Sequence, residues 1–163
     1  VLFGKGRRRR AALGRLFMEH AVEKTYLALV SGETADSGLL CAPVPSKGSL
    51  REAATAFRRI ASGGGCSLLA LQLFTGRTHQ IRRQLADSGH PVAGDRRYGG
   101  KRPAGLSRLF LHCAELSFRD PFDQALVAVG SPLPPELART LTALGIDPAA
   151  ADLPGFSERA TAP

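Results

Sequence analysis

The segment that most restricts the fold is a strand–turn–strand pattern over residues 53–73. Two apolar-rich runs, residues 53–60 and 66–73, flank the short glycine-rich stretch at residues 62–65. Strands joined by so short a turn pair as an antiparallel hairpin. The pattern therefore favours an α+β architecture over a doubly wound parallel sheet.

The remaining periodicities extend this sheet and add helices to it. Apolar spacing predicts helices over residues 8–20 and 134–146, and strands over residues 24–30, 108–118 and 125–134. In the first of these strands, Tyr26, Ala28 and Val30 share one face, whereas Thr25, Leu27 and Leu29 share the other.

The predicted fold class is α+β, with a mostly antiparallel mixed sheet and flanking helices. Residues 1–3 are typical of the end of a buried strand, yet no neighbouring strand precedes them, so we expect a domain that is incomplete at its N-terminus. Residues 1–146 are assigned to this domain. Residues 41–48 are predicted to form a surface excursion, and residues 147–163, rich in Ala and Pro, a flexible tail.

The charge of the chain favours an anionic partner. Its 163 residues, near the usual size of one domain, carry 22 basic and 14 acidic side chains, for a formal net charge of +8. Nucleic acid is the commonest partner of such a chain. We accordingly expect a protein that binds RNA or DNA and not a membrane, because no apolar run approaches the ~20 residues of a membrane span.

The cysteines and histidines give no sign of a metal or a disulfide framework. Cys41, Cys66 and Cys113 are odd in number, far apart and outside any CxxC spacing. They are predicted to be buried thiols in a reducing compartment, which places the protein in the cytoplasm. The four histidines lack HxH or HxxxH spacing, so no metal site and no cofactor are expected.

The most charged stretch is TGRTHQIRRQL, residues 75–85. It is predicted to contain a helix that Thr78 caps and Gly89 ends. The positive end of the helix dipole adds to Arg77 and His79 and favours an anion site. Arg82 borders the apolar stripe of Ile81 and Leu85, and a half-buried guanidinium needs a paired anion. The alternative is a solvated helix whose arginines face water.

These residues also match a known family. The blocks LFTGRTHQIRRQLADSGHPVAGDRRYG, VEKTYLALVSG and RLFLHCAELSFRDP closely resemble the RluA-type RNA pseudouridine synthases, over roughly residues 1–135. The resemblance implies a pseudouridine-synthase-like fold, with residues 1–146 forming part of the catalytic domain. It also implies an enzyme that needs no cofactor and isomerises uridine in ribosomal or transfer RNA. The reaction breaks the glycosidic bond of the base, turns the base and rejoins it through carbon five.

The resemblance implies roles for individual residues. Arg82 resembles the basic residue that pairs with the catalytic carboxylate, and Tyr26 resembles the active-site tyrosine that lies under the target base. Leu85 resembles the apolar wall of the uridine pocket, although ordinary core packing explains it as well. Arg77, His79 and Gln80 belong to the same motif and are predicted to bind the RNA substrate.

The chain also departs from the family pattern. The family's nucleophilic Asp lies in an HRLD-type segment, and the printed sequence contains no HRLD. Asp95, in the GDxxYG element, is expected to make a turn or cap bond instead. Without a carboxylate partner, Arg82 is expected to face solvent or bind a phosphate. Arg83 and Gln84 replace an apolar–His pair that is common after HQIR.

Three functions are compatible with these patterns. The first is an RNA pseudouridine synthase domain whose chain alone is inactive because the nucleophile segment is missing. The second is a catalytically inactive RNA-binding remnant. The third is a basic partner in a ribonucleoprotein with no uridine pocket. The sequence does not define an oligomeric state.

Overall fold

The computed structural model describes residues 2–46 and 48–153 of the chain. A 3-10 helix, Pro148–Ala151, follows the last α-helix. Of the helices described, none combines the length and apolar character that crossing a bilayer requires. The elements are the helices α1 Arg7–Met18, α2 Gln80–Asp87 and α3 Pro135–Ala143, and the strands β1 Glu23–Ser31, β2 Ser37–Leu40, β3 Val44–Ser46, β4 Ser49–Arg51, β5 Thr55–Gly63, β6 Cys66–Leu73, β7 Leu111–Arg119 and β8 Leu126–Gly130.

The centre of the fold is a six-stranded sheet in the order β2-β5-β6-β1-β7-β8. Every neighbouring pair in it is antiparallel, which confirms the predicted α+β class. The β5–β6 hairpin turns through Gly64 and Gly65, whose φ angles are 56° and 72°. Two successive positive φ angles are characteristic of the type I′ turn, which matches the twist of paired strands and which glycine adopts without strain.

One face of the sheet, here called the α3 face, is covered by α3 and the 3-10 helix. Alternation along the strands sends Leu27, Leu29 and Leu68 to this side, where they pack with Phe110. Pro135 at the first helical position and the apolar spacing of α3 bring Leu137 and Leu141 down onto them. The result is a hydrocarbon core.

The opposite face, here called the α2 face, is covered by α2. Ala28, Val30, Leu69 and Leu71 point to this side and pack against Ile81, Leu85 and Val92. Tyr26 lies at the border of the same cluster. The predicted alternation of Tyr26, Ala28 and Val30 against Leu27 and Leu29 is thereby confirmed.

Three predictions outside the sheet need correction. Residues 41–48 are not a plain excursion, because they contain β3, which pairs with β4 just beyond them as a small separate hairpin. Cys41 is exposed and Cys66 and Cys113 are only partly buried, so the three thiols are not core residues. Residues 148–151 are not part of a flexible tail, because they form a 3-10 helix and Ala151 is 6% exposed and packs in the α3-face core; residues 154–163 lie outside the described residues.

Candidate functional site

The start of α2 is fixed by the side chain of Gln80. Its Oε1 accepts hydrogen bonds from Thr75 Oγ1 at 2.7 Å and from the backbone nitrogen of Arg77 at 3.1 Å. Its Nε2 donates to Ala54 O at 3.0 Å and to Thr55 Oγ1 at 2.9 Å. Gln80 is 2% exposed, so the prediction that it binds substrate is wrong: its hydrogen-bonding capacity is used inside the chain.

The helix begins without the cap that the sequence predicted. The residue before the first helical one is His79, which has a left-handed φ of 56°, and no side chain caps the helix. Thr78 is therefore not the N-cap. The end of α2 is as predicted, because Gly89 follows it with a φ of 85°, a conformation that terminates helices.

Gln84, one turn beyond Gln80, ties α2 to the strands beneath it. Its Oε1 accepts from Thr55 Oγ1 at 2.7 Å. Its Nε2 lies within 3.1 Å of the carbonyl oxygens of Leu40, Ala42 and Ala53. Because the Thr55 hydroxyl also accepts from Gln80, the two glutamines form one buried network that holds the helix at a fixed height over the sheet.

Arg82 forms a side-on ion pair with Asp95. The Nε of Arg82 donates to Asp95 Oδ2 at 2.6 Å, and its Nη2 donates to Oδ1 at 2.8 Å. The side chain of Asp95 is fully buried and that of Arg82 is 19% exposed. The expectation that Arg82 lacks a carboxylate partner is wrong, because the loop after α2 brings Asp95 back over the helix.

The loop that carries Asp95 is held tightly in place. Asp95 Oδ1 also accepts from the backbone nitrogens of Arg97 at 3.0 Å and Tyr98 at 3.1 Å, which is the turn role that the sequence predicted. Gly100 has no room for a side chain, since a Cβ there would lie 1.9 Å from Val92 O. The GDRRYGG sequence is thus a compact turn built around one carboxylate.

The hydrogen bonds keep this carboxylate ionised. Burial alone would raise the pKa of Asp95, but the hydrogen bonds from Arg82 and from the backbone of Tyr98 and Arg97 outweigh burial and lower it. The pKa of Arg82 is raised, chiefly by its hydrogen bond to Asp95. Both groups are therefore charged across the physiological range.

Tyr98 stands at the centre of a cluster of cations. The guanidinium carbons of Arg82, Arg83 and Arg97 lie 5.0, 5.4 and 5.8 Å from the centroid of its ring. His79 approaches the ring edge-on at 5.9 Å, and its Nδ1 is 3.2 Å from the phenol oxygen. Guanidiniums over an aromatic face are attracted to its electron-rich surface. Sequence reasoning missed Tyr98, although the GDxxYG element contains it.

The electrostatics of His79 reflect this crowding. Burial lowers the pKa of His79, and repulsion from Arg82, Arg97 and Arg83 lowers it further, whereas Asp95 opposes the shift. The imidazole is therefore neutral near neutral pH. Arg77 lies at the edge of the site, half-buried, and its Nε is 3.4 Å from Glu52 O.

Tyr26 and Leu85, both predicted site residues, belong to the apolar cluster of the α2 face. Leu85 is 2% exposed, as expected if it packs in the core. Tyr26 is half-buried and lies opposite Cys113 on β7, beside a bulge at Thr25. Burial raises the pKa of Tyr26 to about 12, and Cys113 adds to the shift. The phenol is therefore an uncharged aromatic surface and not a base.

The structure thus divides five of the six predicted site residues into three groups, and Arg77 lies at their edge. His79 and Arg82 meet around Tyr98, Tyr26 and Leu85 share the apolar cluster, and Gln80 is part of the internal network. In residues 2–46 and 48–153, no group of three or more His, Cys, Asp or Glu side chains is arranged to hold a metal ion.

Comparisons with known proteins identify relatives among the RNA pseudouridine synthases. Residues 1–87 match the family model described as RNA pseudouridylate synthase. The chain is 34% identical over 156 residues to the ribosomal large subunit pseudouridine synthase C of Vibrio vulnificus, covering 84% of this chain and 50% of that protein. It is 33% identical over 150 residues to the ribosomal large subunit pseudouridine synthase D of Nitrosomonas europaea, covering 81% and 44%.

A solved structure agrees with these relatives. Human RNA pseudouridylate synthase domain containing 1 superposes with a TM-score of 0.71 at 27% identity, covering 83% of this chain and 65% of that one. The chain spans about half the length of the curated relatives it matches.

Proposed function

The chain belongs to the RluA-type RNA pseudouridylate synthase family, and from this premise we propose that it takes part in isomerising uridine to pseudouridine in RNA. Its net charge of +8 suits an RNA substrate. Ribosomal and transfer RNA are both candidate substrates, and the cytoplasm is the proposed location.

The observation that carries the proposal is the side-on pair between Arg82 and Asp95. Asp95 engages Nε and Nη2, while Nη1 makes no hydrogen bond within the described part of the chain. A guanidinium held on one edge by a buried carboxylate keeps its other edge in a fixed direction. We propose that this free edge pairs with the family's nucleophilic carboxylate, keeping it ionised and aimed at the sugar carbon.

The other residues of the α2 face have supporting roles in this proposal. Tyr26 offers an uncharged aromatic surface on which an extruded uracil can stack. Leu85 supports that surface from the core and does not touch the base. Arg77 and His79 lie on the path of the RNA backbone. The described residues thus supply charge and shape, whereas the resemblance expects the nucleophile in an HRLD segment that the printed sequence does not contain.

A chimera tests the proposal. Residues 1–153 replace the matching half of the Vibrio vulnificus relative, and pseudouridine is counted in large-subunit ribosomal RNA and in transfer RNA after the enzyme has acted. We expect the chimera to form pseudouridine and the chain alone to bind RNA without converting uridine. Arg82→Ala should abolish conversion, by about 100-fold or more, whereas Arg59→Ala, which breaks an exposed ion pair with Glu33 and Asp36, should not.

The outcome also decides between the open alternatives. A folded chimera that binds RNA but forms no pseudouridine would favour a catalytically inactive RNA-binding remnant. A chain that does not bind RNA beyond what its net charge explains would favour a basic ribonucleoprotein partner.

A further inference from the structure

The cation cluster around Tyr98 carries more positive charge than its own carboxylate can neutralise. Asp95 is the acidic side chain that meets this cluster, and both of its oxygens are already occupied by Arg82 and two backbone nitrogens. Arg83 and Arg97 contact the same ring with no ion pair to the described part of the chain. Among the residues that the structure describes, the guanidiniums of Arg83 and Arg97 therefore contact one ring without a counterion.

Arg83 is the less solvated of the two. Its residue is half-buried, and its Nε is shielded from solvent with no hydrogen-bond partner among the described residues. A donor on a charged group that has lost water and gained no acceptor is costly, and such groups in folded proteins normally meet a protein acceptor, an ordered water or an ion, a place that a ligand can take. Arg97 is exposed on the neighbouring loop, and its guanidinium contacts the same ring.

We propose that Arg83 and Arg97 bind one phosphate group of the RNA backbone beside the ring of Tyr98. A phosphodiester carries one negative charge shared by two non-bridging oxygens, each of which can accept hydrogen bonds from a guanidinium, and arginine matches this planar geometry better than lysine does. The ring holds the guanidiniums in place before the phosphate arrives, so less side-chain freedom is lost on binding.

The site adds to what the family resemblance implies. Arg83 stands where an apolar residue is common after HQIR, and the charge it contributes is therefore a feature of this chain. The assignment of the phosphate to RNA rests on the proposed function. The binding of a singly charged phosphate by two guanidiniums beside an aromatic ring does not depend on the proposed function.

The decisive experiment measures the affinity of the full 163-residue chain for a short uridine-containing single-stranded RNA over a series of salt concentrations. Arg83→Gln and Arg97→Gln should each weaken binding about fivefold and reduce the salt slope by about 0.7, as expected for one lost phosphate contact on a single strand. The double variant should lose little more than either single variant, because both residues serve one phosphate.

Two matched variants show whether the effect is local. Arg96→Gln removes the same charge from the exposed neighbour of Arg97, and Arg139→Gln removes it from α3 on the opposite sheet face. Both should stay within about twofold of the parent chain. Losses in these variants equal to those of Arg83→Gln, or fully additive losses in the double variant, would overturn a shared phosphate site.

Substitutions of Tyr98 test whether its ring contributes to RNA binding. Tyr98→Phe keeps the ring and should retain RNA affinity, whereas Tyr98→Leu removes the surface that holds the guanidiniums and should weaken binding as Arg83→Gln does. Circular dichroism confirms that each variant is folded. Full affinity in a folded Tyr98→Leu variant would contradict the proposal.

Competition with inorganic phosphate tests whether the site binds a phosphate of the RNA backbone or free phosphate. At constant ionic strength inorganic phosphate should displace the RNA only weakly. A chain that binds inorganic phosphate through Arg83 and Arg97, yet keeps its RNA affinity when both are replaced, would overturn the assignment to RNA. The phosphate site and the proposed function fail separately, because the first is judged by the affinity of the chain alone and the second by pseudouridine formation in the chimera.

Discussion

The two faces of the sheet are held by different chemistry. On the α3 face, Leu29, Phe110 and Leu141 are completely buried, and the contacts between elements are hydrocarbon. On the α2 face, a smaller apolar cluster is joined by the Gln80–Thr55–Gln84 network and by the Arg82–Asp95 pair.

The two kinds of contact differ in how closely they fix the position and orientation of a helix. Hydrocarbon packing is roughly proportional to buried area and tolerates small rotations of a helix, whereas hydrogen bonds fix both distance and direction. A polar network costs desolvation and adds little net stability, but it holds a helix in one position. The face that carries the candidate site is therefore the face that needs fixed geometry.

The largest effect on stability is expected from the hydrocarbon face. Phe110→Ala should destabilise the chain by about 3–5 kcal/mol, because it removes a fully buried ring and leaves a cavity. Phe110→Leu should cost less than about 2 kcal/mol, since most of the volume is kept. Chemical denaturation measures both. RNA affinity of the folded fraction should be unchanged in both variants; a loss would mean that the faces are not separable.

The ion pair of the α2 face should give the next largest effect. Arg82→Ala leaves the buried Asp95 carboxylate without its cation, and because Arg82 is 19% exposed we expect a loss of about 2–3 kcal/mol, below the value for a fully buried pair. The Arg82→Ala, Asp95→Ala double variant should lose less than the sum of the single variants. Additive losses in this cycle would show that the pair is not coupled.

The same pair gives a pH signature. The pKa of Asp95 is lowered in the folded chain, from an ordinary value of 3.8. Its contribution to stability is therefore present above that value and disappears as the pH falls through the lower folded pKa. The stability difference between the parent chain and Asp95→Asn should shrink in the same acid range, measured by denaturation at a series of pH values.

Local patterns in the sequence were enough to predict five of the six strands of the sheet, whereas β2 was not predicted. The alternation of Tyr26, Ala28 and Val30 against Leu27 and Leu29 follows from the geometry of a single strand. The β5–β6 turn needs positive φ angles, which its glycines adopt. Each of these predictions depends on residues that are close in the chain.

The site was harder to predict because its contacts join distant segments. Arg82 and Asp95 are thirteen positions apart across a helix end and a turn, so the sequence showed that Arg82 needs an anion but not which one supplies it. Gln80 was predicted to bind RNA because it belongs to the motif that resembles the family. Its burial depends on Thr75 and Ala54 arriving from two other segments.

A comparison of two buried polar side chains sharpens the contrast between the faces. Gln84→Leu removes the acceptor of Thr55 and the donor to three carbonyls, and we expect a loss of about 1–3 kcal/mol, the cost of unsatisfied buried groups. Thr140→Ala on α3 removes a bond to the carbonyl of Glu136 in its own helix and should change stability by less than about 1 kcal/mol. Equal effects would mean that the network does not distinguish the α2 face.

The smallest expected effect is on the ionisation of His79, which reports the field of the Tyr98 cluster. Its pKa is lowered from the ordinary 6.5 by burial and by three arginines. Since the unfolded chain takes up a proton more readily than the folded one, His79 favours folding above its ordinary pKa and loses that contribution as the pH falls below it. In NMR titrations of the folded chain, Arg97→Gln and Arg83→Gln should each move the pKa of His79 upward, because a repelling charge is removed. Arg139→Gln, on the far face of the sheet, should leave it in place. An unchanged pKa in the first two variants would show that Arg83 and Arg97 do not act on the His79 ionisation, and that the α2 face does not carry the concentrated positive field that distinguishes it from the α3 face.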